Sequence, residues 1–136
     1  QNLDFAPTFL DYANAPISEE IQGESFRNLV KEGDAQWRDA IYYNYYEFPG
    51  EHHVKRHYGI RTDRYKLIHF YYDIDHWELY DLEKDPTEML NVYNDEAYTK
   101  IRAQMHKKLD EVRLKYGDSD SLNQANLQRY LKARGI

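Results

Sequence analysis

The sequence contains no cysteine, which excludes a disulfide framework, a thiolate zinc site and catalysis by a thiol, while leaving the redox compartment undetermined. It also lacks any apolar run near the ~20 residues needed to span a bilayer. Its 41% hydrophobic content therefore describes a soluble chain with no membrane partner. Residues 1–20 show no succession of basic, apolar and small residues that would mark a signal peptide, and the first residue is Gln1 rather than Met. Together these features read as a portion of something longer. P-loop, Rossmann glycine and Ser/His/Asp patterns are missing as well, so the residues alone reveal no catalytic centre.

What the chain does have is acid and aromatic rings. Its 136 residues suffice for one domain with a sizeable core. The 24 Asp+Glu outweigh 18 Lys+Arg, and aromatic residues make up 15%, 14 of them Tyr. The excess acid sits in residues 1–36, with 2 basic and 7 acidic groups, whereas residues 37–80 hold 6 and 7 and residues 81–136 hold 10 and 10. An acidic chain is a poor general polyanion binder, and without an RRM-type or OB-type motif nucleic acid is not an expected partner. One local basic patch stands out. Lys55, Arg56, Arg61, Arg64 and Lys66 face only Asp63, with His52, His53 and His57 beside them. Residues 37–80 also contain 13 of the 21 aromatics and five of the six His, which makes this segment the candidate recognition region.

Local patterns predict an α+β fold. Asp4 precedes a turn containing Pro7, and Phe5, Phe9, Tyr12 and Ala13 share one helical face. A second short helix is expected from a Ser25 cap to Gly33, carrying Phe26, Leu29 and Val30. From Asp39 onwards, runs rich in Tyr, Ile and Trp at 39–47, 57–62, 65–71 and 77–82 read as strands. Thr62-Asp63-Arg64 is short enough for a hairpin turn, and the Pro49-Gly50 pair marks a loop between the first two strands. Tyr98, Ile101, Met105, Leu109, Val112 and Tyr116 recur at steps of three or four, predicting a long amphipathic helix over 95–116 that covers one sheet face. Asp118-Ser119-Asp120-Ser121 reads as a linker to a weak helix around 122–134 with little to bury. The expected architecture is a four-stranded antiparallel sheet packed against the long helix, with helices at both chain ends.

Two metal readings fail on spacing. Asp73-Ile74-Asp75 lacks the glycine and distal Glu of a calcium loop. His53 and His57 would pair on a helix, but Tyr58-Gly59-Ile60 looks extended and sends neighbouring side chains to opposite faces. A binding surface survives. His57, Gly59 and Arg61 would share one strand face, with Gly59 leaving backbone accessible between two polar heads. These are either edge-strand solubility groups or contacts to an anion or sugar, for which Arg and His are good donors.

The segment WELYDLEKDPTEMLN at 77–91 resembles the closing signature of the type I sulfatases, in which "ELYDLxxDPxExxNL" precedes the last helix. DFAPTFLDYA at 4–13, QGESFRNLV at 22–30 and YGIRTDRYKLIHFY at 58–71 are similar to further segments of that family, in order, as far as residue 116. Residues 42–62 most resemble N-acetylglucosamine-6-sulfatase-like members acting on glycans and glycosaminoglycans. The resemblance implies connecting helices at 1–36, a C-terminal subdomain at 37–117 and a polar tail at 118–136. It further implies an exported parent whose formylglycine nucleophile and calcium lie in a separate catalytic domain. This chain has neither Cys nor a Ser followed two residues later by Pro, so alone it is expected to be inactive. On the same grounds His53, His57, Arg56 and His52 are the expected contacts to the sulfated glycan, with Tyr46 or Phe48 stacking on a sugar face. Trp77, Leu79, Tyr80, Asp81, Asp85 and Pro86 are expected to be structural, and exposed aromatics to promote self-association. The competing expectation is a non-catalytic carbohydrate-binding or interaction domain.

Overall fold

The computed structural model describes residues 1–33, 36–50 and 52–135. The chain divides into two compact units, Gln1–Arg38 and Asp39–Ile136.

In the first unit, helix α1 spans Phe5–Tyr12 and helix α2 spans Arg27–Glu32. Helix α1 forms as the spacing predicts, and its apolar stripe faces outward. Phe5 and Phe9 are 51% and 66% exposed, while Asp4, Pro7 and Thr8 are buried. Asp4 is not a side-chain cap. Its carboxylate accepts from the Glu24 backbone N–H at 3.0 Å and from the Arg38 guanidinium at 2.5 Å. The Thr8 hydroxyl accepts from the Phe26 N–H at 3.1 Å, and Asp11 takes up Ser25 at 2.6 Å and Arg27 at 2.8 Å. The unit is thus stitched by short polar side chains that reach backbone donors across the turn. Gly33 stops α2 with φ +74°, where its N–H donates to the Leu29 carbonyl.

The second unit contains β1 (Ile41–Tyr45), β2 (His57–Arg61), β3 (Tyr65–Phe70), β4 (His76–Asp81), α3 (Thr99–Lys115) and α4 (Asp120–Arg134). The strands pair antiparallel in chain order. Their register brings Tyr42, Ile60 and Leu67 opposite one another, and Leu67 opposite Leu79. Period-two alternation then puts Tyr58, Ile60, Leu67, Trp77 and Leu79 on one face. Helix α3 covers that face with Met105 and Leu109, flanked by Ile101 and Val112, as the three-and-four spacing predicts. Ile60, Leu67 and Leu79 are fully buried, each worth about 1.5–3 kcal/mol relative to exposure.

The β2–β3 turn needs no glycine because Thr62 closes it. Its N–H donates to the Tyr65 carbonyl at 2.8 Å, and its hydroxyl accepts from the Tyr65 N–H at 2.9 Å. Residues 77–91 have a clear structural task. Asp85 accepts from the Thr87 hydroxyl and from the Leu90 N–H, shaping the turn after β4. Asn91 then accepts from the Leu79 N–H and donates to the Trp77 carbonyl, while the Val92 N–H reaches the Leu79 carbonyl. The outer edge of β4 is thereby covered. Asp81, 1% exposed, receives Arg64 in a two-pronged pair at 3.0 Å and the Tyr98 hydroxyl at 3.1 Å.

The helix expected around 122–134 forms as α4, but it starts within the expected linker and, contrary to expectation, has something to bury. Ser119 caps α4 through the Leu122 N–H, and α4 buries Asn123 and Leu127, each 4% exposed. Asp118 accepts from the Tyr42 hydroxyl and from Arg113 at 3.3 Å, while Asp120 accepts from Arg113 at 2.7 Å. These acids follow α3 because Arg113, the buried cation of that helix, binds them, which a polar-residue pattern does not reveal.

Acid should expose the Asp81 anchor. Hydrogen bonds from Arg64 lead the effects that hold its carboxyl below the ordinary value of 3.8, against the opposing effect of burial. A carboxylate depressed in the folded state contributes stability that is full above the unfolded value and lost as pH falls through the folded one. Urea midpoints should therefore drop on acidification below 3.8. Asp81→Asn should lessen that drop and remove about 1–3 kcal/mol at neutral pH.

Candidate functional site

The described residues of the 46–56 loop, between β1 and β2, include four of the eight residues singled out in the basic patch, His52, His53, Lys55 and Arg56. Phe48-Pro49 is a cis peptide. Lys55 pairs with Asp73 and lies 5.5 Å from the Phe48 ring, which meets Tyr72 edge-on at 6.0 Å. His52 and His53 are exposed on the loop. The His52 Nε2 stands 3.6 Å from Glu47, whereas among the described residues His53 has no ion pair or hydrogen bond.

His57 lies elsewhere, on the sheet face opposite α3. Its Nδ1 is 2.8 Å from the Lys55 carbonyl. A carbonyl only accepts, so Nδ1 carries the hydrogen and Nε2 is the remaining nitrogen. Tyr45 stacks on the ring at 5.5 Å, and Phe70 and Tyr43 flank it. Gly59 does not leave open backbone between His57 and Arg61. A Cβ there would come within 2.6 Å of both the Leu67 carbonyl and the Tyr43 hydroxyl, because Tyr43, its cross-strand partner, lies over it. The reason for glycine is close packing. Burial pushes the Tyr43 phenol well above its usual range, and its hydroxyl has no hydrogen-bond partner.

Arg56 is the largest departure from a surface contact, being 1% exposed. Its Nε donates to the Phe48 carbonyl, and its guanidinium lies 5.0 Å from the Tyr130 ring of α4. Among the described residues both terminal nitrogens are buried without a well-formed hydrogen bond, and a buried donor left so costs about 1–3 kcal/mol. At the Tyr71 hydroxyl, hydrogen bonding from the Arg56 guanidinium and then its charge oppose the upward push of burial. Gly50 completes the brace. A Cβ at this position would collide with the Tyr130 hydroxyl and stand 2.6 Å from the Glu47 carbonyl.

Two clefts open beside α4. One, of about 360 Å³, is bordered by His69, Tyr72, Asp73, Asp75 and Asp120. The other, of about 420 Å³, is bordered by Tyr46, Arg56, Asn126, Arg129 and Tyr130. In the first, His69 stacks on Trp77 at 4.0 Å and bonds to Asp75 at 2.7 Å and to the Tyr58 hydroxyl at 2.8 Å. Arg113 donates to that hydroxyl at 3.0 Å, and the hydroxyl's own hydrogen has two acceptors, His69 at 2.8 Å and the more distant Asp120 at 3.5 Å. Sequence reasoning missed Arg113, His69 and the α4 residues. Their nearest signal was Tyr58 on the helix-facing side of β2, which gives no hint of its hydroxyl's partners.

Residues 1–115 match the family described as "N-sulphoglucosamine sulphohydrolase, C-terminal". The chain belongs to this family. An N-acetylglucosamine-6-O-sulfatase of Bacteroides thetaiotaomicron is 51% identical over 122 residues, covering 88% of this chain and 22% of the relative. An arylsulfatase of Clostridium perfringens is 32% identical over 126 residues, covering 88% and 24%. BT4656, solved in complex with its substrate D-glucosamine-2-N,6-O-disulfate, superposes with a TM-score of 0.84 at 49% identity, covering 88% of this chain and 25% of that one. This C-terminal sulfatase domain therefore spans about a quarter of the length of the proteins it matches. Its α+β fold, a four-stranded antiparallel sheet with helices, agrees with the family resemblance read from residues 77–91.

The loop's dependence on α4 is directly testable. Gly50→Ala should separate Tyr130 from the loop and destabilise the protein by about 1–3 kcal/mol, with amide shifts at residues 46–56 in NMR spectra. A wild-type urea midpoint and unmoved loop amides would contradict the brace.

Proposed function

We propose that the protein is the C-terminal portion of an exported sulfatase that hydrolyses a 6-O-sulfate ester of an amino-sugar glycan, and that the 46–56 loop supplies its sugar contacts. The observation that carries this reading is the 51% identity with an N-acetylglucosamine-6-O-sulfatase. The substrate named for BT4656, a 6-O-sulfated glucosamine, supports the same chemistry. His53, exposed and unengaged, is the leading contact, with His52 beside it and the Nε2 of His57 as a further acceptor for a sugar hydroxyl. Arg56 serves chiefly by holding the loop.

In this proposal, formylglycine and calcium belong to the catalytic part. The residues of this chain do not fit either group. It has no Cys or Ser-x-Pro to modify, and among the described residues no three His, Asp or Glu side chains converge as metal ligands. Among those residues, too, no helix is long and apolar enough to cross a membrane.

His53→Ala in the full-length enzyme should lower kcat/KM on the sulfated amino sugar by about 10- to 100-fold, while a small aryl sulfate changes by less than about twofold. Equal losses on both substrates would sink the sugar-contact role. A full-length gene without a Cys/Ser-x-Pro-x-Arg motif upstream of Gln1 would sink the sulfatase reading itself.

The outward rings of α1 suit coverage by the catalytic part. Without that cover, the 136-residue chain should self-associate through Phe5 and Phe9. Sedimentation velocity should show concentration-dependent association that Phe9→Ser weakens. A monomer at every concentration would refute it.

A further inference from the structure

The arginine-bordered cleft of about 420 Å³ beside α4 has a chemistry that the loop histidines do not explain. Asn126, Arg129 and Tyr130 lie on adjacent positions of one α4 face at spacings of three and four, opposite Arg56 and Tyr46 from the two ends of the loop. Among the described residues no carboxylate borders the cleft and neither arginine is in an ion pair. Arg56 is 1% exposed, and among the described residues neither terminal guanidinium nitrogen makes a well-formed hydrogen bond, the Tyr71 hydroxyl being the polar group that interacts with it. Its orientation is fixed by the Phe48 carbonyl at Nε and by the Tyr130 ring at 5.0 Å. The donors that remain are the two that a guanidinium uses to grip an oxyanion in parallel. Arg129, exposed at the rim, adds a second positive charge. Tyr46, 61% exposed, adds an aromatic face beside them.

We propose that this cleft is an oxyanion subsite, in which Arg56 and Arg129 hold the sulfo or carboxylate group of an acidic saccharide while Tyr46 lies against the sugar face and Asn126 bonds a hydroxyl. The saccharide identity rests on the sulfatase reading above; the oxyanion chemistry does not. The site differs from the histidine contacts of the loop, and it uses a helix beyond the segment matched by the family, which ends at residue 115.

The Arg56 Nε–H resonance of the 136-residue chain is the direct probe. Sodium sulfate should shift it saturably, and sodium chloride at equal ionic strength should not. Arg129→Gln, at an exposed position that leaves the fold intact, should weaken the sulfate response by at least about tenfold, as expected for one lost charge-assisted contact. Arg56→Gln should abolish binding, but because it also releases the Phe48 carbonyl, the Arg129 variant is decisive. Glucosamine 6-sulfate and glucuronate distinguish the sources. Tighter binding of either than of its bare anion, sulfate or acetate, supports a saccharide, with Tyr46→Ala removing that gain. Equal binding of saccharide and bare anion would overturn the saccharide part, leaving an inorganic-anion site. Absence of saturation, an equal response to chloride, or unchanged affinity in Arg129→Gln would overturn the site altogether. In crystals of the full-length enzyme soaked with selenate, an anomalous peak between the two arginines is expected. A protein carboxylate filling that position would refute the proposal. Sulfate binding here together with a failed His53→Ala test would leave this site standing and the loop reading fallen.

Discussion

The second unit depends on one buried cation. Arg113 sits on the covered side of α3, 4.0 Å from the Tyr58 ring, and its donors reach the Tyr58 hydroxyl, Asp118 and Asp120. Burying a guanidinium costs least when its donors are answered and its charge balanced, as they are for Arg113. Here sheet, helix and the following turn each provide an answer. The same acids extend the connection, since Asp118 also accepts from Tyr42 of β1, and Asn44 donates to Asn123 of α4 at 2.9 Å. The position of α4 is therefore set from inside the sheet, and the position of α4 in turn sets the loop through Tyr130.

That chain of dependence separates two kinds of stabilisation. Aliphatic burial under α3 is strong but indifferent to direction, so it fixes the sheet-on-helix layer without specifying where the last helix lies. Directional bonds supply the missing specification. The first unit shows the same division with the proportions reversed. Its rings face outward while Asp4, Thr8 and Asp11 hold its turns, so its apolar atoms are available for another surface.

The legible parts of the sequence are those in which a periodic pattern and a one-sided environment coincide. Strands β2 and β3 alternate, with Tyr58, Ile60 and Leu67 inward, and α3 repeats Ile101, Met105 and Leu109 at helical steps; both were readable for that reason. The tail was not, because its burial rests on Asn123, Leu127 and the acids that pair with Arg113, residues whose polarity counts against burial until their partners are known. Helix α1 was legible as a helix, but its cover was not. Phe5, Phe9 and Tyr12 form a proper stripe, but amphipathicity does not say which molecule covers it. For the proposed site, the concentration of His and Arg is visible in the sequence, whereas the depth of Arg56 and the Tyr43 ring over Gly59 emerge only from three-dimensional packing.

Among these features, the double anchoring of the 46–56 loop has a consequence for diversification. At one end Gly50 must stay small for Tyr130, and at the other Arg56 is clasped by the Phe48 carbonyl. Between Gly50 and Lys55, the exposed side chains of His52, His53 and Val54 carry little of that framework. Substitution in this short window can change the exposed surface at small cost to folding. The loop is in effect a mounting with replaceable fittings, fixed at Gly50 and Arg56 and free to vary between them.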